Sequence, residues 1–271
     1  MTTVLASDAG QTTLESSAPL ARVIDKWIWV FMAALYVVIT LVGFIPDSLM
    51  KMGLVDAGQR PPFPLVLHLH AILMGSFLLL LLAQTTLVAT GRQHLHRQLG
   101  IAGFVLAPAL VIAGIVLVPT MYHQGWNAAQ GAPATVREGI LQNLRVADDI
   151  MLLQLKIAIM FPILVGTALA VRKTDFGLHK RFMFLGVASA LPAAFDRITW
   201  IPTTMPFSPL SPDLYTLLAV APLFIWDLVR TRTIHKAYLI WLAISVPMSI
   251  AIHALWDTDW WHQMAPQLLG I

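Results

Sequence analysis

His70 and Met74 stand four residues apart in the run Leu67-His-Leu-His-Ala-Ile-Leu-Met74. On a helix that step puts an imidazole and a thioether on one edge, a donor pair that suits copper or haem iron. His68 cannot share the edge, because helix residues two apart diverge by about 200°. His123 and His253 lie at the ends of other apolar runs. His70, His123 and His253 therefore form the candidate metal set, with Met74 as a further donor to a cofactor. Haem and a transition metal both fit these donors, and the sequence does not choose between them. The chain has no cysteine, which excludes disulfides, thiolate zinc sites, cysteine-ligated iron–sulfur clusters and covalent c-type haem.

Charged groups gather at the same ends of the apolar runs. Tyr122, Asp149, Lys156, Asp196 and Arg197 are the candidate lining of a hollow. Asp149 and Lys156 are seven apart and share a helix face. Lys156 falls roughly 9 Å inside the run that begins at Ile150. An ammonium at that depth needs a carboxylate, and Asp196 is the expected partner. Asp196 and Arg197 could instead close a bundle by ion-pairing with Asp148 or Asp149. Three stripes of small and polar residues point the same way: Gly186, Ser189, Ala193, Asp196 and Trp200; Ser245, Ser249 and His253; Gly114, Val118 and Tyr122. Charge is costly in hydrocarbon and usually faces an interior cavity, so these stripes predict one shared pocket open to the outer side.

The elements that position these side chains are membrane-spanning helices. The 271 residues are 58% hydrophobic and 11% charged, with mean hydropathy +0.75. That is too little charge to cover a soluble domain. Seven stretches approach the roughly 20 apolar residues a bilayer requires: Trp27–Ile45, Pro64–Ala89, Ile101–Tyr122, Ile150–Val171, Phe182–Trp200, Leu214–Val229 and Ala237–Leu255. The expected fold is an all-α polytopic bundle of seven transmembrane helices. Residues 1–24 read as a flexible cytoplasmic leader, and residues 257–271 as a periplasmic interfacial tail. Thr135-Val-Arg-Glu138 fits a capping box, so a short interfacial helix is expected to feed the fourth span. Pro108, Pro162, Pro192, Pro222 and Pro247 fall inside spans. Neighbouring helices can satisfy the carbonyls such prolines free, or the kinks can open a cavity.

Basic residues set the orientation. Arg22, Lys26, Arg92, Arg97, Arg172, Lys173, Lys180, Arg181, Arg230, Arg232 and Lys236 fall on one side, against Lys51, Arg60, Arg137 and Arg145 on the other. The richer side is cytoplasmic by the positive-inside rule. The N-terminus is then cytoplasmic and the C-terminus periplasmic, in a bacterial-type inner membrane. The basic residues lie in short turns and make no patch, so no nucleic-acid partner is expected despite a pI near 9.4. Leu-His-[Arg/Lys] recurs with a glycine seven residues past the histidine, at His96/Gly103 and His179/Gly186. That repeat suggests two related hairpins in parallel orientation. His96 and His179, at the cytoplasmic interface, fit anchoring to lipid phosphate, or a contact to a haem propionate or phospholipid headgroup.

The stretch Leu67–Met74, followed by Gly91-Arg and Leu95-His-Arg97, resembles bacterial multi-pass families that are mostly uncharacterised. A related group includes small cytochrome c oxidase assembly proteins with His-bearing spans. Leu178-His-Lys-Arg-Phe-Met183 looks like a second signature of the same families. The likeness covers about residues 64–200. It implies a link to haem–copper respiratory enzymes and carries His70 and His96 over as site positions. The seven-span zinc hydrolases of the ceramidase type share the topology but need two histidines four apart on the last span, where this chain has His253 alone.

The expected function is a haem- or metal-linked redox or respiratory-complex assembly protein. Two alternatives stand beside it: a transporter or receptor for a small anionic or lipid-like ligand, and a non-catalytic subunit of a larger membrane complex. The expected partners are the lipid bilayer and other membrane subunits. No nucleophile elbow, phosphate loop, dinucleotide fingerprint or HExxH motif is present.

Overall fold

The computed structural model describes the backbone from Asp8 and the side chains from Pro19, both to Ile271. Ten helices follow in order: α1 (Asp8–Asp56), α2 (Leu65–Ala89), α3 (Gln93–Leu99), α4 (Ile101–Gly131), α5 (Ala134–Ala170), α6 (Phe176–Ala188), α7 (Pro192–Phe195), α8 (Leu210–Thr231), α9 (Lys236–Leu255) and α10 (Asp259–Leu268). There is no strand among the described residues. Six helices, α1, α2, α4, α5, α8 and α9, are long and apolar enough to cross a membrane. The chain is a multi-pass membrane protein with an all-α bundle.

The surface shows why lipid is the natural solvent. Leu65, Ile72 and Leu79 lie at seven-residue steps along α2 and are 83%, 66% and 60% exposed. Ile101, Val105, Ile112 and Ile115 make a similar face on α4. In water such faces drive association, whereas against acyl chains they cost nothing. The apolar core lies around α6. Phe184, Leu185, Val187 and Ala188 are buried there against Met32 and Tyr36 of α1, Leu164 and Val165 of α5, and Leu223 of α8.

Phe182–Trp200 is not the single spanning helix expected from its composition. Helix α6 stops at Ala188, and α7 is one turn long. Pro192 has no N–H to continue the ladder, and its ring crowds the preceding turn. The chain tightens through the break with Ala190 N–H to Val187 O, Leu191 N–H to Ala188 O and Ala193 N–H to Ala190 O. These short-range bonds keep the backbone satisfied, which a break inside a membrane bundle requires. Helix α1 passes close to α7: a Cβ on Gly43 would overlap the Ala194 carbonyl. The predicted small-polar stripe of this region dissolves with the break. Ser189 donates back to Leu185 O, and Trp200 is 75% exposed.

Other boundaries also move. Little chain separates the third and fourth expected spans, because α4 runs to Gly131 and α5 starts at Ala134. The expected interfacial helix is the first part of α5. Its N-cap is Pro133, with no side-chain cap bond, so Thr135 is not the cap. The expected tail 257–271 contains α10, capped by Thr258, whose hydroxyl accepts from Trp261 N–H. Of the expected leader 1–24, residues 1–7 and the side chains through Ala18 lie outside the description, and Asp8 onward belongs to α1. The two copies of the Leu-His repeat differ: the first forms the separate helix α3, and the second lies within α6.

Candidate functional site

Helix α10 folds back onto α5, and this contact builds the site. Trp261 is buried and donates its indole N–H to Asp148 O at 2.7 Å. Helical spacing puts Ala265 on the same buried face, four residues on. The residue after Trp261, His262, is thereby pressed against two adjacent buried carboxylates, Asp148 and Asp149.

Asp148 is fixed from two sides. Tyr122 of α4 donates its hydroxyl to Oδ1 at 2.6 Å, and His262 Nδ1 lies 3.1 Å from Oδ2. A carboxylate only accepts, so Nδ1 carries the proton and Nε2 is left to face the opposite way. Nε2 lies 3.3 Å from Asp257 Oδ1 and 3.9 Å from Asp149 Oδ2. Asp257 reaches this position because it adopts a left-handed conformation, φ 53°, just after α9. Aspartate tolerates that region better than most residues. The same turn sends Asp257 N–H to Asp149 Oδ1 at 2.9 Å.

One donor atom each from Asp149, Asp257 and His262 lies within 4.8 Å of the others, which is metal-ligand spacing. An Nε2 lone pair aimed at two carboxylate oxygens is repulsive unless a cation sits between them. Either a second proton on His262 or a metal ion supplies it. The Asp148–His262 contact is the outer-shell arrangement that fixes ring orientation and tautomer in metal centres. A cleft of about 260 Å³, lined by Tyr122, Trp126, Glu138, Arg145, Asp148 and His262, gives access alongside. Asp257 is itself largely exposed.

A second network lies deeper. Lys156 Nζ donates to Asp213 Oδ1 at 2.8 Å and to Ser249 Oγ at 2.6 Å. His253 Nε2 stands 3.5 Å from Asp213 Oδ2. The partner of Lys156 is therefore Asp213 of α8, and not Asp196. Asp196 sits near Arg197, Lys51 and Asp47 on the α1 side. Arg197 pairs with Asp47 at 3.4 Å, stacks over Phe44 and donates to Ala193 O. Neither residue meets Asp148 or Asp149. The break at Pro192 turns them toward α1.

The expected histidine set is not assembled among the described residues. His123 Nε2 bonds Leu269 O at 2.8 Å, and His253 belongs to the Lys156–Asp213 network. His70 lies beside Gly114, its Nδ1 buried without a hydrogen-bond partner, and Met74 packs against the core. At the other end, His179 Nδ1 contacts Ala168 O at 2.8 Å, and the His96 carbonyl accepts from Gln84. The His179 ring thus serves an internal contact, whereas the His96 Nδ1 is buried without a hydrogen-bond partner. Three important residues were missed or left aside: His262, Asp257 and Asp213; Ser249, on one of the expected stripes, does reach Lys156. The Trp261/Ala265 step behind Thr258 was the available sign of a docked helix.

The opposite end of the bundle holds a closed network. Arg181 of α6 grips Asp227 of α8 through Nε and Nη2, both at 2.7 Å. Tyr238 of α9 donates to Asp227 Oδ2 at 2.6 Å. All three side chains are buried. Nearby, Lys236 and the Leu178 N–H hold the Asp175 carboxyl below the usual carboxylate range. Asp25 of α1 takes Arg230 and the Trp226 indole. Compared with known protein families, curated proteins and solved structures, the chain matches none.

Proposed function

We propose that this chain is a multi-pass inner-membrane protein of the bacterial type that handles a divalent transition-metal ion at its periplasmic end. Asp149, Asp257 and His262 are the ligands. The observation that carries this reading is the convergence of three lone-pair donors whose imidazole is already oriented by Asp148. One histidine and two carboxylates suit zinc, manganese or ferrous iron, and three protein ligands leave a coordination position open. The likeness to cytochrome c oxidase assembly families supports metal handling beside a respiratory enzyme. The metal part of that expectation is kept, with a different ligand set. The haem part has weaker support, because Met74 is committed to core packing.

The broken α6–α7 segment is the seventh crossing in this reading. Its start pairs with α8 through Arg181 and Asp227, and its end pairs with α1 through Arg197 and Asp47. Those contacts lie at opposite ends of the bundle. The N-terminus is then cytoplasmic, and α10 with the metal ligands is periplasmic.

The test is elemental analysis of the full chain purified in mild detergent and dialysed against zinc or manganese. About one equivalent is expected in the wild type and in His253→Ala, and none above background in His262→Ala. A wild-type protein that stays metal-free overturns the proposal.

A further inference from the structure

A cleft of about 500 Å³ opens between α4 and α5, well away from the metal ligands. Pro108 and Pro162 both line it. Each removes an N–H from its helix and crowds the turn before it, the usual source of a helix kink. Gly166, also in the wall, has nothing within contact distance of where a Cβ would stand. The remaining walls are apolar, with Phe104, Val111 and Phe161 among them.

One residue of the lining is charged. Arg172 caps one end of the cleft, its guanidinium 4.6 Å from the Phe104 ring centre. One of its nitrogens donates to Leu169 O at 2.6 Å. Arg181, Arg197 and Arg230 each hold an aspartate, whereas no carboxylate among the described residues pairs with Arg172. Lys173, beside it, is exposed. The cleft therefore combines an apolar groove with positive charge left over at its mouth. That mouth lies on the basic-rich side of the bundle.

We propose that this cleft binds one acyl chain of an anionic glycerophospholipid, with Arg172 holding the headgroup phosphate. The inference depends on the chain being embedded in a membrane and not on the metal site. An acyl chain entering the cleft leaves other acyl chains, so it gains no hydrophobic free energy. Groove shape supplies the residence time, and the unpaired guanidinium supplies the selectivity. A charge of this kind near the membrane surface favours anionic over neutral lipid by about fivefold.

The test is native mass spectrometry of the full chain titrated with dioleoyl phosphatidylglycerol or dioleoyl phosphatidylcholine. The wild type should bind the anionic lipid about fivefold more tightly. Arg172→Gln should erase the difference, lowering phosphatidylglycerol binding more than phosphatidylcholine binding. Gly166→Leu projects into open space and favours the helix, so it should fold and lower occupancy by both lipids. Equal binding of the two lipids by the wild type overturns the proposal, as does wild-type occupancy in Gly166→Leu. Should Gly166→Leu fail to fold, the Arg172→Gln comparison decides alone.

Discussion

Two buried ionic networks sit at opposite ends of one bundle, and they are built differently. At the end that the proposed orientation makes the inner one, Arg181 meets Asp227 in a two-point grip, and Tyr238 takes a further lone pair. Donors and acceptors match, and the network is closed. At the outer end two neighbouring carboxylates, a third from Asp257, and one imidazole supply more acceptors than donors. Tyr122 and one backbone N–H, that of Asp257, do not make up the difference. A network that balances itself holds helices together. One that leaves lone pairs converging holds a place for something else.

The largest break in that comparison is Asp227→Ala. It leaves a buried guanidinium unpaired and should cost about 3–5 kcal/mol, read as a fall in the thermal unfolding midpoint in detergent. A fall no greater than that of a surface variant would show that the inner network is not structural. Lys156→Met comes next. It strips a hydrogen-bonded cation from Asp213 and Ser249, a loss of roughly 1–3 kcal/mol by the same readout. Metal content should stay at the wild-type level, since Lys156 touches none of the three ligands.

Tyr122→Phe sharpens the contrast from the other end. It loosens Asp148 and through it His262, so metal affinity should drop about 10- to 100-fold. Unchanged affinity would remove the hydroxyl from the orienting shell. The smallest effect is on pH. Burial pushes the His235 imidazole pKa down, with the Arg181 charge adding to it, against the opposing pull of Asp227 and Asp175. The folded pKa then lies below the unfolded value of about 6.5. The unfolded chain binds more protons, so this contribution is present above about pH 6.5 and is lost on acidification. Protonation also takes the lone pair that accepts Ala237 N–H at the start of α9. Unfolding followed from about pH 7 to about pH 5.5 should show a modest decline that His235→Asn, a good cap without titration, reduces. An identical slope in that variant would assign the decline elsewhere.

How much of this the sequence disclosed depends on the kind of signal. Long apolar runs announce themselves by solvent, since lipid accepts little else, so Pro64–Ala89 and Ala237–Leu255 land within a residue of α2 and α9. Composition could not reveal that Phe182–Trp200 is broken. The break turns on one proline whose freed carbonyls are met by local bonds, and a proline alone does not say which outcome applies. The concentration of charge at the outer end was legible. The pairing within it was not, because Lys156 chose between Asp196 and Asp213 by a helix packing that no spacing encodes. His262 was overlooked for a related reason. It lies beyond the last apolar run, and only the docking of Trp261 against Asp148 brings it home.

The central claim is that the outer network is a metal centre whose nitrogen ligand is His262. Cobalt(II) titration tests it most directly, because nitrogen and oxygen donors in a site of fewer than six ligands give a visible ligand-field spectrum unlike that of the aqueous ion. The spectrum should saturate at one equivalent in the wild type and in His253→Ala, and be missing from His262→Ala. A spectrum that survives intact in His262→Ala, or a wild-type protein showing the aqueous ion alone, would contradict the account.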